Sequence, residues 1–212
     1  MTSSDHRKVY DISPPLTSAI GVFPGDTPLS KQQLMDMHKG DHLTLSTLNG
    51  TVHLGSHVDA PSHYGVDAPN IGHLPLDLFL GSCQVIHVPV ERGARMTKSH
   101  LPCPIQTERV LFRTDSFPNP NQWNKDFCAL SPELVDYLKE CRVRLVGIDT
   151  PSVDDSSSQT LTAHHRCLQH QIAILEGLVL TEVPDGRYEL IALPLKLMEF
   201  EASPVRAVLR EL

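Results

Sequence analysis

The segment His53-Leu54-Gly55-Ser56-His57-Val58-Asp59-Ala60-Pro61-Ser62-His63 constrains this chain more than any other. It holds three imidazoles and a carboxylate, and its Gly and Pro joints work against a helix, because proline pushes the residue before it to extended backbone. The helical presentation of a His-Glu-x-x-His site is therefore excluded. On an extended backbone, residues two apart share a face, so His57 and Asp59 can converge on one ion. A bend at Gly55 would bring His53 round to complete a His, His, Asp set. Imidazole and carboxylate without thiolate suit zinc, manganese or iron, and three protein ligands leave a position for water.

A carboxylate can bridge two cations about 3.5–4 Å apart, so Asp59 is also a candidate ligand of a second ion. Further ligands would then come from His164 or His165 and from Glu176. One of the adjacent histidines should face inward from a helix while the other faces water. Glu176 closes the apolar run Ile172-Ala173-Ile174-Leu175, where an unpaired carboxylate is costly to bury; the alternative is a solvated Glu176 in a turn with Gly177.

The rest of the chain reads as mostly strand. Short apolar runs predict strands at Lys8–Ile12, Cys83–Val90, Arg109–Arg113, Val143–Ile148, Ile172–Leu175, Leu178–Thr181, Tyr188–Leu193 and Val205–Leu209. Asn49-Gly50 predicts a hairpin turn within His42–Leu54. Ser131-Pro132-Glu133 has the N-cap and N1 proline of a helix start, and a second helix is expected around Ala163–His170. Asp154-Asp155 sits in a Ser-rich loop and reads as solvated, and Tyr10 and Trp123 read as packing residues.

At 212 residues the chain is expected to be one compact α/β domain, 1–212. Its formal charge of -7 argues against a nucleic-acid partner, which needs a clustered positive face. Five scattered Cys with no C-x-x-C pair fit reduced thiols and a cytoplasmic location. The N-terminus has no apolar run of signal-peptide type, and no segment has the length of a membrane span.

The motif His53-x-Gly55-Ser56-His57-x-Asp59-Ala60-Pro61-x-His63 resembles that of the cyclase-family metal-dependent hydrolases, with Ser56 in place of the commoner Thr. Pro24-Gly25-Asp26-Thr27-Pro28, Gly147-Ile148-Asp149-Thr150-Pro151-Ser152 and Ala173-Ile174-Leu175-Glu176-Gly177-Leu178 are similar to the bacterial kynurenine formamidase (arylformamidase) branch. The resemblance implies a swivelling β/β/α-type fold with mixed sheets or a barrel-like core flanked by a few helices. It also implies a homodimer and a two-zinc site, with manganese as the alternative metal, that hydrolyses N-formyl-L-kynurenine to L-kynurenine and formate. By that resemblance His53, His57 and Asp59 hold the first ion, Asp59 bridges, and His164 and Glu176 hold the second. His63 becomes the proton donor and acceptor. Phe23 stands where the branch usually carries a substrate-contacting Trp, keeping the aromatic face without an indole N–H. Competing expectations are a hydrolase of another aryl or cyclic amide, such as an isatin-type lactam, and a metal-binding module without turnover.

Overall fold

The computed structural model describes residues 7–212; the first six positions, on which part of the signal-peptide reading rests, lie outside the described residues. The strands in chain order are β1 (Val9–Asp11), β2 (Ser30–Met35), β3 (Leu45–Asn49), β4 (His57–Asp59), β5 (Leu80–His87), β6 (Arg95–Met96), β7 (Arg109–Arg113), β8 (Ala129–Leu130), β9 (Leu145–Ile148), β10 (Ala173–Glu176), β11 (Gly186–Ile191), β12 (Ala202–Pro204) and β13 (Val208–Glu211). The α-helices among the described residues are α1 (Pro132–Glu140) and α2 (Thr162–His170). Nine strands form one curled mixed sheet in the order β1-β13-β11-β5-β7-β9-β10-β4-β12. β5, β7, β9 and β10 run parallel at its centre, and antiparallel strands flank them.

Period-two alternation places a separate core on each face of this sheet. Ile86, Val110, Phe112, Val146, Ile148 and Ile174 join the core under the two helices, while their neighbours Val85, Leu111, Leu145 and Leu175 join the core on the opposite face. Strands buried on both faces read as unbroken apolar runs, and that is why β7 and β9 were legible in the sequence. α1 starts as expected: the Ser131 side chain accepts from the Leu134 N–H, Pro132 fills the first turn, and Leu134, Val135 and Leu138 are buried.

The architecture is thus the expected single α/β domain with a barrel-like curled sheet and few helices. Three local expectations are corrected. Asn49-Gly50 ends β3 instead of turning the chain. β3 pairs backward with β2, the reversal lies at Asp36–Asp41 with Gly40 at φ +93°, and Thr51 N–H bonds to the Thr27 carbonyl oxygen to continue the pairing direction. Leu178–Thr181 forms no strand, since Leu178 and Val179 donate to the carbonyl oxygens of Ile148 and Ile12, on two different segments. Of Val205–Leu209 only Val208 and Leu209 are strand, at the start of β13; residues 205–207 link β12 at one end of the sheet to β13 near the other, a crossing made where local hydropathy is continuous.

Candidate metal centre

β4 is where the fold and the motif meet. Its antiparallel register with β10 sets Glu176 opposite His57 and Ile174 opposite Asp59. Cross-strand partners share a face, so His57, Asp59 and Glu176 all project to the side where Ile174 packs beneath α2. On α2, Ala163, His164 and Cys167 are buried while His165 is exposed, so His164 is the member of the pair that faces the sheet. His53 arrives from the preceding loop through a bend at Gly55, whose φ is +57°. That bend is packed directly against Gly177, at φ +67°, where a side-chain carbon would collide with the Gly55 carbonyl oxygen. Two glycines in left-handed conformation, available to them without steric cost, therefore lock the His53–His57 loop to the end of β10.

The resulting cluster is ordered about Asp59. Its Oδ1 lies 3.2 Å from His53 Nδ1 and 3.6 Å from His57 Nε2, and its Oδ2 lies 3.5 Å from His164 Nε2. Glu176 spans the other side, with Oε2 3.3 Å from His57 Nε2 and Oε1 3.5 Å from His164 Nε2. Glu176 Oε1 also accepts the Val153 N–H at 2.7 Å. His63 stands beside the cluster, its ring 4.3 Å from that of His53 and 6.0 Å from that of His164. All six polar residues singled out in the sequence are brought together. His53, His57 and Asp59 offer ligand atoms within 4.8 Å of one another, and so do Asp59, His63 and His164.

Both oxygens of Asp59 are buried and have no hydrogen-bond partner. A buried carboxylate without a formed hydrogen bond is costly, and oxygens set among imidazole nitrogens at these separations supply the donor atoms that a divalent cation takes. The donor set fits a metal.

Charge coupling within the cluster is strong. Burial pulls the His57 imidazole down, but the Glu176 hydrogen bond and the charges of Asp59 and Glu176 outweigh it and hold its pKa at about 9. His164 is likewise raised against its burial by Asp154, Asp59 and Glu176. Burial works to raise Asp59, yet its contacts with His164 and His53 hold the carboxyl well below its ordinary value. For Glu176, burial and the Asp59 charge push up and the two imidazoles pull it lower. His63 differs: its side chain is exposed at the cavity, and its partial desolvation there lowers its pKa, which favours the neutral imidazole near pH 7.

The sequence reading missed Asp154. It is fully buried rather than solvated. Its Oδ2 accepts from His164 Nδ1 at 2.9 Å and from the Ala163 and His164 amides at 3.0 Å, which caps the start of α2. Arg95 Nη1 lies 3.0 Å from its Oδ1. An acid a few residues ahead of a helix carrying a candidate ligand was the available signal. The His57 Nδ1 is held by the Gly55 carbonyl oxygen at 2.9 Å, so both imidazoles present Nε2 to the carboxylates.

Above the cluster opens a cavity of about 550 Å³, and its lining includes Ile20, Phe23, Phe117 and Trp123 as well as His53, His57, His63, His164 and Glu176. Phe23 and Trp123 meet edge to face at 5.3 Å. Trp123, read from sequence as packing, is both packed and part of this wall, and its indole N–H is buried without a partner.

The Cyclase family model matches residues 10–155, more than half of the chain, and includes the whole His53–His63 segment. Among solved structures, one described as a potential metal-dependent hydrolase with cyclase activity is 26% identical over 97% of this chain and 98% of its own, with a TM-score of 0.83. A predicted metal-dependent hydrolase from Bacillus stearothermophilus is also 26% identical, over 97% of this chain and 99% of its own, with a TM-score of 0.81. Isatin hydrolase A from Labrenzia aggregata, bound to benzyl benzoate, shares the fold at a TM-score of 0.83 with 23% identity, covering 98% of this chain and 95% of its own. The chain belongs to the cyclase family and has the fold of its metal-dependent hydrolases.

Proposed function

We propose that this protein is an aryl-formamide hydrolase that converts N-formyl-L-kynurenine to L-kynurenine and formate. The observation that carries the reading is Asp59, whose two buried oxygens, without a hydrogen bond of their own, lie among His53, His57 and His164, three imidazoles that line an aromatic-walled cavity together with Glu176. His53, His57 and Asp59 would hold one divalent cation, and Asp59, His164 and Glu176 a second. Imidazole and carboxylate donors suit zinc, with manganese as the alternative. When bound, such cations supply Lewis acidity to a carbonyl oxygen and bring the pKa of water toward neutrality.

The chain's own groups do the rest. Phe23 and Trp123 supply a face for the anilide ring. Neutral His63 takes a proton from the attacking water as its oxygen adds to the formyl carbon. It returns that proton to the aryl nitrogen as the C–N bond breaks, giving the amine and formic acid. Asp154 and the Gly55 carbonyl oxygen keep the His164 and His57 rings turned toward the carboxylates.

The fold match to isatin hydrolase favours a second reading, hydrolysis of a cyclic aryl amide in the same cavity. Both readings are separated by giving the purified, zinc-loaded protein N-formyl-L-kynurenine and isatin in parallel and following free aryl amine and ring-opened product. Faster turnover of the formamide, lost on chelation and restored by zinc, supports the first; turnover of isatin alone replaces it with the second.

The β2–β3 hairpin supports assembly as a homodimer. Only Met35 of its two strands is even half-buried, and Leu34, Leu45 and Leu48 are exposed. A lone two-stranded hairpin is marginal in water, so this arm gains its apolar partner from a second copy. All five cysteines are unpaired in the fold, which supports the reading of a reducing, cytoplasmic setting. No helix among the described residues is long and apolar enough to cross a membrane.

A further inference from the structure

Four carboxylates line the cavity above the metal centre, those of Asp26, Asp149, Asp155 and Glu176, and no lysine or arginine is among the described residues lining it. Three of the four are already engaged. Glu176 is held by Val153 and two imidazoles. Asp149 accepts the Thr114 and Asp115 amides and the Thr114 hydroxyl. Asp155 is paired with Arg95 at 2.5 Å. Among the described residues Asp26 has only the Thr27 amide, at 2.6 Å to one oxygen.

Asp26 reaches the cavity through a tight turn. Its N–H donates to the Phe23 carbonyl oxygen at 2.9 Å, and Gly25 within the turn has φ +96°, a conformation that glycine adopts at low cost. The turn delivers an aromatic ring and a carboxylate without a charge partner to the same cavity. Together these are the recognition chemistry of an organic ammonium: the ring face attracts the cation, and the carboxylate takes charge-assisted hydrogen bonds from it.

We propose that Asp26 is a specificity-determining residue that takes an ammonium group on the substrate's side chain, so that the site selects aryl amides carrying a primary amine. The proposal rests on reading the site as an aryl-formamide hydrolase, whose substrate N-formyl-L-kynurenine carries such an ammonium.

Binding and turnover test the two separately. Metal-loaded protein is titrated with L-kynurenine and with its desamino analogue, 4-(2-aminophenyl)-4-oxobutanoate, and binding is followed by quenching of Trp123, the single tryptophan of the chain. The amine-bearing ligand binds roughly tenfold more tightly to the native protein, and Asp26→Asn removes that preference by weakening L-kynurenine alone. Equal affinity for the two ligands, equal weakening of both by Asp26→Asn, or no quenching by either overturns the assignment; unchanged metal content in the variant shows that the site is intact. Hydrolysis of the N-formyl forms is measured alongside. A binding preference without hydrolysis upholds Asp26 and rejects the formamidase reading, whereas hydrolysis without a preference rejects Asp26 alone.

Discussion

Asp154 holds His164 from behind: the Asp154 Oδ2 to His164 Nδ1 distance is 2.9 Å, and the same carboxylate caps the first amides of the helix that carries His164. One side chain thus fixes where α2 begins, how its histidine is turned and which nitrogen faces Asp59. Arg95 ties that carboxylate to the neighbouring Asp155, which lines the cavity.

The first prediction concerns that link. Asp154→Asn keeps an oxygen for the cap but leaves the imidazole free to take the other tautomer. Metal binding at the His164 side is expected to weaken by about 10–100-fold, while the His53, His57, Asp59 set retains its ion. Stepwise zinc titration by calorimetry checks this, and two unaltered binding steps would contradict it.

The raised imidazole pKa values predict how the metal-free protein responds to pH. His57, at about 9 folded against an ordinary value of 6.5, contributes stability that is fully present below pH 6.5 and is lost as pH rises through 9. The loss for this one group is on the order of 3 kcal/mol. Thermal unfolding after chelation should show a Tm that falls between pH 6.5 and 9. Because a cation must displace protons from His57 and His164, zinc addition at pH 7 should release protons into a weak buffer.

Replacing Gly177 tests the glycine lock. An alanine there needs φ +67° and puts its Cβ into the Gly55 carbonyl oxygen, so the His53–His57 loop must move off β10. The expected cost is about 2–4 kcal/mol in denaturant unfolding, in the range of other strained backbone substitutions. Zinc affinity should fall with it.

His63 carries the proton-transfer assignment. His63→Ala should lower kcat by about 10²–10⁴-fold while the protein retains both ions by elemental analysis. Near-normal turnover with full metal content would remove His63 from the chemistry.

Charge on the hairpin arm tests assembly. Leu48, 72% exposed on β3, does not line the cavity above the metal ligands. The proposed homodimer predicts that the unaltered protein scatters as a dimer and that Leu48→Glu scatters as a monomer at unchanged secondary structure; a monomer in both would contradict it.

Much of this site was legible because it depends on rules that tertiary context leaves alone. The same-face rule for residues two apart holds for His57 and Asp59 in β4 whatever packs on them, and Gly55 marked the bend before any coordinates. Ser131-Pro132 carried its own capping chemistry. The misses arise where a distant segment decides. Asp154 looks solvated beside Asp155 and four serines, and only the approach of Arg95 and α2 buries it. Asn49-Gly50 is a strong local turn signal, yet Thr27 and Leu29 lie alongside Thr51 and Gly50 and draw the strand straight on. Trp123 could not be assigned to the cavity wall without knowing that the Phe23 loop lands on it.

The most direct test of the central claim is anomalous diffraction at the zinc edge from crystals of the zinc-loaded protein. Two peaks about 3.5–4 Å apart, one beside each oxygen of Asp59, and the absence of both in Asp59→Ala, are the predicted result. Zinc bound elsewhere, or no ordered ion within reach of Asp59 at saturating zinc, would contradict it.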